Sequence, residues 1–513
     1  MVTPAPAPTD VRRPNILLVV ADQERQRGWI PPDLTLPHRQ RLLDEGLEFT
    51  RFYTHSSPCS PSRATILTGR TVPEHGVVDN VVFSGQRELD PAIPTIGRRL
   101  RDAGYRTSYI GKWHLSHAVS PDLEPYGFSD WSGNDRHFMG WAGTGVEFDP
   151  WIAERAATWL AANAASPRPW LLVVGLVNPH DVMWFPIDQP DYQRDRADEV
   201  DAVKRFLEAA AWKETDPLPA YAAPYDEVFD TLPPNFDDDL FTKPAVQREW
   251  LYQQQHTLYG YLDPTDTRAW CRHLDYYWRL HQEGDRNLGL VLDALDASGA
   301  AAETAVIFTA DHGDMCGSHG LRSKGPFVYD EIMRVPLYVK VPGVTAAATC
   351  TDALASHLDL ARTVCALGGA DAADLPGQDL TGVLADPSRP ARDAVLFAQD
   401  MAWYDSCVEL RYAIRGVFDG RYKYARYYGC GGGWGNTGRP PRHPKRVDVD
   451  APFEDQDHEL YDLAEDPHEL RNLAMDRAHR GEVRDRFEQL RTLEAAELGT
   501  PRFRADAPVA PSR

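Results

Sequence analysis

Four short apolar runs along the chain break off abruptly into polar clusters. Ile16 to Ala21 (ILLVVA) runs into Asp22 and Gln23, and Thr107 to Ile110 runs into Gly111-Lys112-Trp113-His114. Trp170 to Val177 (WLLVVGLV) runs into Asn178-Pro179-His180, and Ala305 to Thr309 (AVIFT) runs towards Asp311-His312-Gly313-Asp314. Runs that are apolar at every position, rather than alternating, predict strands covered on both faces, hence a large, mostly parallel sheet between helices. Helical periodicity fills the intervals, for example over Ile93 to Ala103, Trp151 to Ala162 and Asp285 to Ala297. Sheets of this kind bind ligands beyond the carboxyl ends of their strands. Any strand must end in something polar, but Asp, His and Lys recurring at four ends predict one shared crevice.

The pattern changes twice. From Phe185 to Gln255 it becomes acidic, Pro-rich and aromatic, which predicts a surface insertion beside the crevice. Beyond Asp386 it turns antiparallel: Tyr412 to Phe418 and Arg421 to Tyr427 flank Asp419-Gly420 as a hairpin. Gly429 to Gly438 lacks the strand-before, helix-after setting of a nucleotide loop and reads as a flexible loop. The expected organisation is a disordered arm over 1–13, a large α/β domain over 14–385 and a smaller C-terminal α+β subdomain with an antiparallel sheet over 386–513.

Composition narrows the function. Hydrophobic residues at 42% and charged residues at 25% fit a chain with a sizeable core. A net charge of −22 argues against nucleic acid as partner, although local cations and a metal can reverse the potential inside one pocket. No stretch reaches the apolar length of a membrane span. The N-terminal residues lack the apolar core of a secretion signal, and the 7 cysteines form no framework, so reduced thiols and a cytoplasmic location are expected.

The most specific stretch runs from Cys59 to Arg70, C-S-P-S-R-A-T-I-L-T-G-R. By itself it is a Cys on a Pro-containing turn that opens a helix, with an Arg at helical distance. A helix N-terminus and a nearby cation are expected to lower the thiol pKa and attract an anion. The stretch resembles the signature of the type I, formylglycine-dependent sulfatases of the alkaline phosphatase superfamily. The resemblance extends in order through N-I-L-L-V-V-A-D-Q, G-K-W-H-L, N-P-H, T-A-D-H-G-D, G-L-R-S-K-G and E-L-Y-D-L-A-E-D-P-H-E-L-R-N-L.

That resemblance implies an alkaline-phosphatase-like fold and hydrolysis of a small-molecule sulfate monoester. It implies a nucleophile made by oxidising Cys59 to formylglycine, with a formylglycine-generating or equivalent maturation enzyme as partner. One hydroxyl of the hydrated aldehyde would attack sulfur, and deprotonation of the other would then expel sulfate. Asp22, Gln23, Asp311, His312 and the modified Cys59 would hold one divalent cation, calcium or manganese. Arg63 would hold the hydrate, Lys112 and Lys324 the non-bridging oxygens, with His114 as base and His180 as donor to the leaving oxygen. Asp22-Gln23 and Asp311-His312 replace the paired Asp and the Asp-Asn of many sulfatases, and resemble the choline sulfatases and phosphonate monoester hydrolases. Imidazole suits manganese better than calcium. Asn80 aligns with a substrate-site asparagine of the phosphonate enzymes, so phosphonate or phosphodiester cleavage is the alternative reaction, and a catalytically silent binding protein a third reading. Trp184, Phe185, Tyr221 and Tyr225 are expected to enclose the leaving group. Homo-oligomerisation stays open.

Overall fold

The computed structural model describes residues 13–81, 86–118, 120, 122–133, 135, 139–209, 218–256, 259–401, 410–432, 443–446 and 448–499. The arm over 1–12, Cys407 and the Gly-rich run beyond 432 lie outside the described residues.

The four apolar runs are strands of one seven-stranded mixed sheet. Arg106–Gly111, Trp170–Pro179, Asn15–Asp22 and Thr304–Ala310 lie side by side and parallel. Leu337–Lys340 joins Thr304–Ala310 antiparallel, followed by Leu47–Phe49 and Thr349–Thr351. Every residue of Asn15–Asp22 and of Trp170–Pro179 is buried, as strands covered on both faces require. Thr144–Asn163 and the long helix Thr267–Ala297 pack against Trp170–Pro179. His357–Gly368 packs against both Asn15–Asp22 and Cys59–Thr68. Strands about 4.8 Å apart bring the ends of the four parallel neighbours within reach of one small molecule.

A second, four-stranded antiparallel sheet follows, in the order Val395–Gln399, Ala413–Phe418, Tyr422–Tyr428, Asp457–Asp462. Its hairpin turns at Asp419-Gly420, where Gly420 takes φ 97°, a conformation other residues adopt only with strain. One apolar cluster joins Tyr53 and Phe327 to Phe397, Ile414 and Tyr427, so this sheet packs continuously on the body.

The segment expected as a surface insertion keeps much exposed surface and is also anchored in the core. Ile187, Val200, Val203, Leu218, Leu240, Val246 and Trp250 belong to that same core cluster. The guanidinium of Arg322 ties the segment down by donating to the carbonyls of Phe185, Gln254 and Gly260. Proline and acidic residues break the periodicity on which core positions are recognised, and here they conceal a packed layer.

Burial in the second sheet sets up a pH effect. Burial raises the Glu459 carboxyl to about 7, against the opposing pull of Lys243, Gln247 and Tyr427. A carboxyl whose folded pKa lies above its unfolded value contributes stability that is complete below about 4.3 and lost as pH rises through 7. The melting temperature is therefore expected to fall between about pH 4.5 and 7, and Glu459→Gln to reduce that fall in a thermal-denaturation series. An unchanged slope in the variant rules Glu459 out as the source.

Candidate active site

Cys59 is the first residue of the helix Cys59–Thr68, which Gly69 ends in the left-handed conformation at φ 66°. The preceding Pro58 offers no side-chain cap, and the amide oxygen of Asn80 takes that task, accepting from Ser60 N at 3.0 Å. Arg63 follows Cys59 by one helical turn and shares its face. The helix therefore delivers a thiol and a guanidinium together to the ends of the parallel strands.

There they meet the residues on which the strands break off. Cys59 Sγ lies 3.2 Å from His312 Nε2 and 3.7 Å from Asp22 Oδ1. Arg63 spans the two carboxylates, with Nε on Asp311 Oδ2 and a terminal nitrogen on Asp22 Oδ2, both at 2.9 Å. Lys112 Nζ sits 2.7 Å from Asp22 Oδ2 and donates to the Met139 carbonyl at 3.1 Å. Lys324 Nζ donates to Gln23 Oε1 at 2.5 Å and lies 3.3 Å from His180 Nε2. Gln23 and His114 both take positive φ, 67° and 59°, at the ends of their strands, where functional residues often carry such strain.

The electrostatics follow from burial without water. Burial alone would raise the Asp22 carboxyl, but Lys112, His180, Arg63 and His312 hold it well below its usual value. Burial and the charge of Asp22 push Asp311 up to about 7. His180 and His114 are both driven well below the usual histidine value, by burial first and then by Lys324 and Lys112 respectively. The Cys59 thiol goes the opposite way from the sequence expectation. Burial and Asp22 raise it, outweighing Lys324, Lys112 and Arg63. A helix N-terminus does not lower a thiol pKa where desolvation is this complete.

The donor set fits a divalent cation. One ligand atom from each of Asp22, Cys59, Asp311 and His312 lies within 4.8 Å of the others, all buried. Two carboxylates that repel strongly enough to raise one of them are what a cation between them would relieve. Gln23 reaches the cluster through its backbone, N to Asp311 Oδ1 at 3.0 Å, while its amide nitrogen donates to Asp314 at 2.5 Å.

Several supports were not singled out from sequence. Ser62 Oγ donates to the Asp311 carbonyl at 2.6 Å and lies 3.2 Å from His357 Nδ1. Tyr277 donates to the Gln23 carbonyl at 2.7 Å, and Asp135 accepts from the backbone of Trp113 and His114. Ser62 and Asp314 stand inside the recognised motifs; Asp135 and Tyr277 come from segments with no local signal.

The aromatic residues expected to enclose the leaving group each have packing partners within the fold. Trp184 is fully buried, packs on Trp141 and Tyr259 and donates its indole N–H to the Gly140 carbonyl. Phe185 stacks on His273, Tyr221 bonds Glu283, and Tyr225 lies beneath Arg272. Phe185, Tyr221 and Tyr225 tie the segment to the long helix. Trp184→Ala is expected to cost about 3–5 kcal/mol in chemical denaturation while leaving the ranking of choline, aryl and sugar sulfates unchanged. A changed ranking would return Trp184 to the substrate pocket.

Comparisons with known proteins agree with this fold. Residues 14–370 match the family model described as Sulfatase, and residues 317–435 match N-sulphoglucosamine sulphohydrolase, C-terminal. The chain is 30% identical over 491 residues to arylsulfatase A of Bos taurus, covering 90% of this chain and 83% of that protein. It is 27% identical over 404 residues to the uncharacterized sulfatase YidJ of Escherichia coli, covering 73% and 71%. Its fold superposes on phosphonate monoester hydrolase SpPMH from Silicibacter pomeroyi with a TM-score of 0.69 at 21% identity, over 95% of this chain and 96% of that one.

Proposed function

The chain belongs to the sulfatase family and is a sulfuric ester hydrolase, and from that premise we propose that a formylglycine made from Cys59 cleaves a small-molecule sulfate monoester here. The observation that carries the reading is the convergence of Cys59, Arg63, Lys112, His180, Asp311, His312 and Lys324 on the Asp22-Gln23 strand end.

Asp22, Asp311, His312 and the modified Cys59, with Gln23 beside them, would hold the divalent cation. Bound there, it would neutralise the sulfate oxygens and favour the ionised nucleophile. His312 in an otherwise oxygen-rich set suits manganese at least as well as calcium. The family implies the hydrated aldehyde as the source of the attacking hydroxyl.

The remaining residues divide the work. Arg63, fixed by two carboxylates, cannot swing away and orients the group at position 59. Lys112, beside Asp22, and Lys324, beside Gln23, neutralise charge on the non-bridging oxygens. His180, in contact with Lys324 Nζ, forms with it the pair that delivers a proton to the leaving oxygen. His114, kept unprotonated by burial and Lys112, is the base. The side chains of the site are almost fully buried, so these charges act in a low effective dielectric.

A hydrolysis panel tests the assignment: choline, aryl and sugar sulfates beside phenyl phosphonate and a phosphodiester, run with calcium and then with manganese after chelation. Highest kcat/KM on a sulfate ester is expected, with activity lost on chelation and restored by metal. A higher kcat/KM on the phosphonate or the diester overturns the substrate assignment. Mass spectrometry of the Cys59 peptide is expected to show the aldehyde in active protein.

A further inference from the structure

Behind the Gln23 side of the site lies a second cluster that the hydrolytic reading leaves unused. His273 stands on the long helix Thr267–Ala297, and Asp314 and Cys316 lie on the loop after Thr304–Ala310. One ligand atom from each of the three lies within 4.8 Å of the others. His273 and Cys316 are 1% exposed and Asp314 is 0% exposed.

Two features distinguish this cluster from ordinary core polarity. His273 Nδ1 is buried with no hydrogen-bond partner. The Val182 backbone lies near enough to the ring to favour its protonated form. A metal-ligating imidazole normally keeps one nitrogen's lone pair free for the ion in this way. Asp314 is also fixed for the task. Its Oδ1 accepts from Cys316 N at 2.6 Å and its Oδ2 from Gln23 Nε2 at 2.5 Å, and each oxygen keeps a lone pair. Cys316 Sγ makes only a long contact to the His273 carbonyl, 3.8 Å.

We propose that His273, Asp314 and Cys316 form a second metal site, specific for a zinc-class divalent cation. Sulfur, nitrogen and oxygen donors together select zinc or cobalt over calcium. Bond lengths of about 2.0–2.3 Å place tetrahedral ligands roughly 3.5 Å apart, so three atoms within 4.8 Å of one another need to close by at most about 1.3 Å, with water in the fourth position. On binding, Cys316 forms the sulfur–metal bond and releases its proton to solvent. The thiolate and the carboxylate then neutralise the dication, which removes the objection to burying it. Asp314 links the two centres: an ion here holds Asp314, and through it the Gln23 amide whose oxygen faces Lys324.

Cobalt(II) is the probe, because a thiolate ligand gives it an ultraviolet charge-transfer band. The experiment uses full-length Cys59→Ala protein, in which Cys59 cannot supply the thiolate, with excess calcium to fill the first site. One cobalt per chain and the thiolate band are expected. The band should vanish in the added Cys316→Ala and Cys316→Ser variants and weaken at least tenfold in apparent affinity in His273→Gln, with circular dichroism unchanged. No band in the folded parent, or a band that survives loss of Cys316, overturns the proposal. If neither Cys316 variant folds, cobalt binding unaltered by His273→Gln overturns it equally. No arm depends on hydrolysis, so failure here and failure of the sulfatase mechanism are separately visible.

Discussion

Cys59→Ala is expected to abolish sulfate-ester hydrolysis, lowering kcat by at least about 10⁴-fold, the range seen when a covalent nucleophile is removed. The fold should hardly register the change. Cys59 is fully buried but small, and the helix it begins is capped by Asn80 and anchored through Arg63, neither of which the substitution touches. A melting temperature within a few degrees of the parent would confirm that only chemistry was lost. Cys59→Ser is the sharper control. It keeps a hydroxyl in the same place but cannot be oxidised by thiol chemistry and cannot present two hydroxyls, so it is expected to give at most one turnover per chain. Steady multiple turnover by Cys59→Ser, or by Cys59→Ala, would end the case for a modified cysteine and point to an activated water.

Arg63 should be costly in both activity and stability. Its guanidinium lies between Asp22 and Asp311, and all three side chains are essentially closed to solvent. Arg63→Ala leaves two buried carboxylates facing each other, and breaking such a pair typically costs about 3–5 kcal/mol. Arg63→Lys retains the charge but not the planar fork that meets two carboxylates at once, so it should recover only part of the loss. Activity is expected to fall at least about 10²-fold in both variants, as for loss of one positioned transition-state contact. The stability deficit should shrink when divalent metal is added. Cation bound between Asp22 and Asp311 relieves the same repulsion, and saturation to about 100 times the dissociation constant contributes about 2.7 kcal/mol. A deficit indifferent to metal would place the cation elsewhere.

Much of this architecture was legible because it is written in contiguous residues. Four all-apolar runs became four adjacent parallel strands, and their polar endings became the site, since strand direction alone decides where those endings meet. The hairpin at Asp419-Gly420 was legible for the same local reason. What stayed hidden depends on long-range assembly. Nothing near Phe185 or Tyr221 announces that their rings pack on the long helix, and the acidic, Pro-rich sequence around them suggested a solvated excursion. The orientation of the Gln23 amide, shared between Lys324 and Asp314, is set by residues about 300 positions away. The thiol of Cys59 was misjudged because helix position is local whereas desolvation belongs to the finished fold.

The depth of Cys59 also orders events in the life of the chain. Its side chain has no exposed surface, at the first turn of a helix that packs against His357–Gly368. In the finished fold every residue of the C-S-P-S-R segment is buried. On the proposed reading, oxidation of this thiol is therefore expected before folding is complete. Modifying activity added late to folded, unmodified protein is expected to leave the active fraction unchanged.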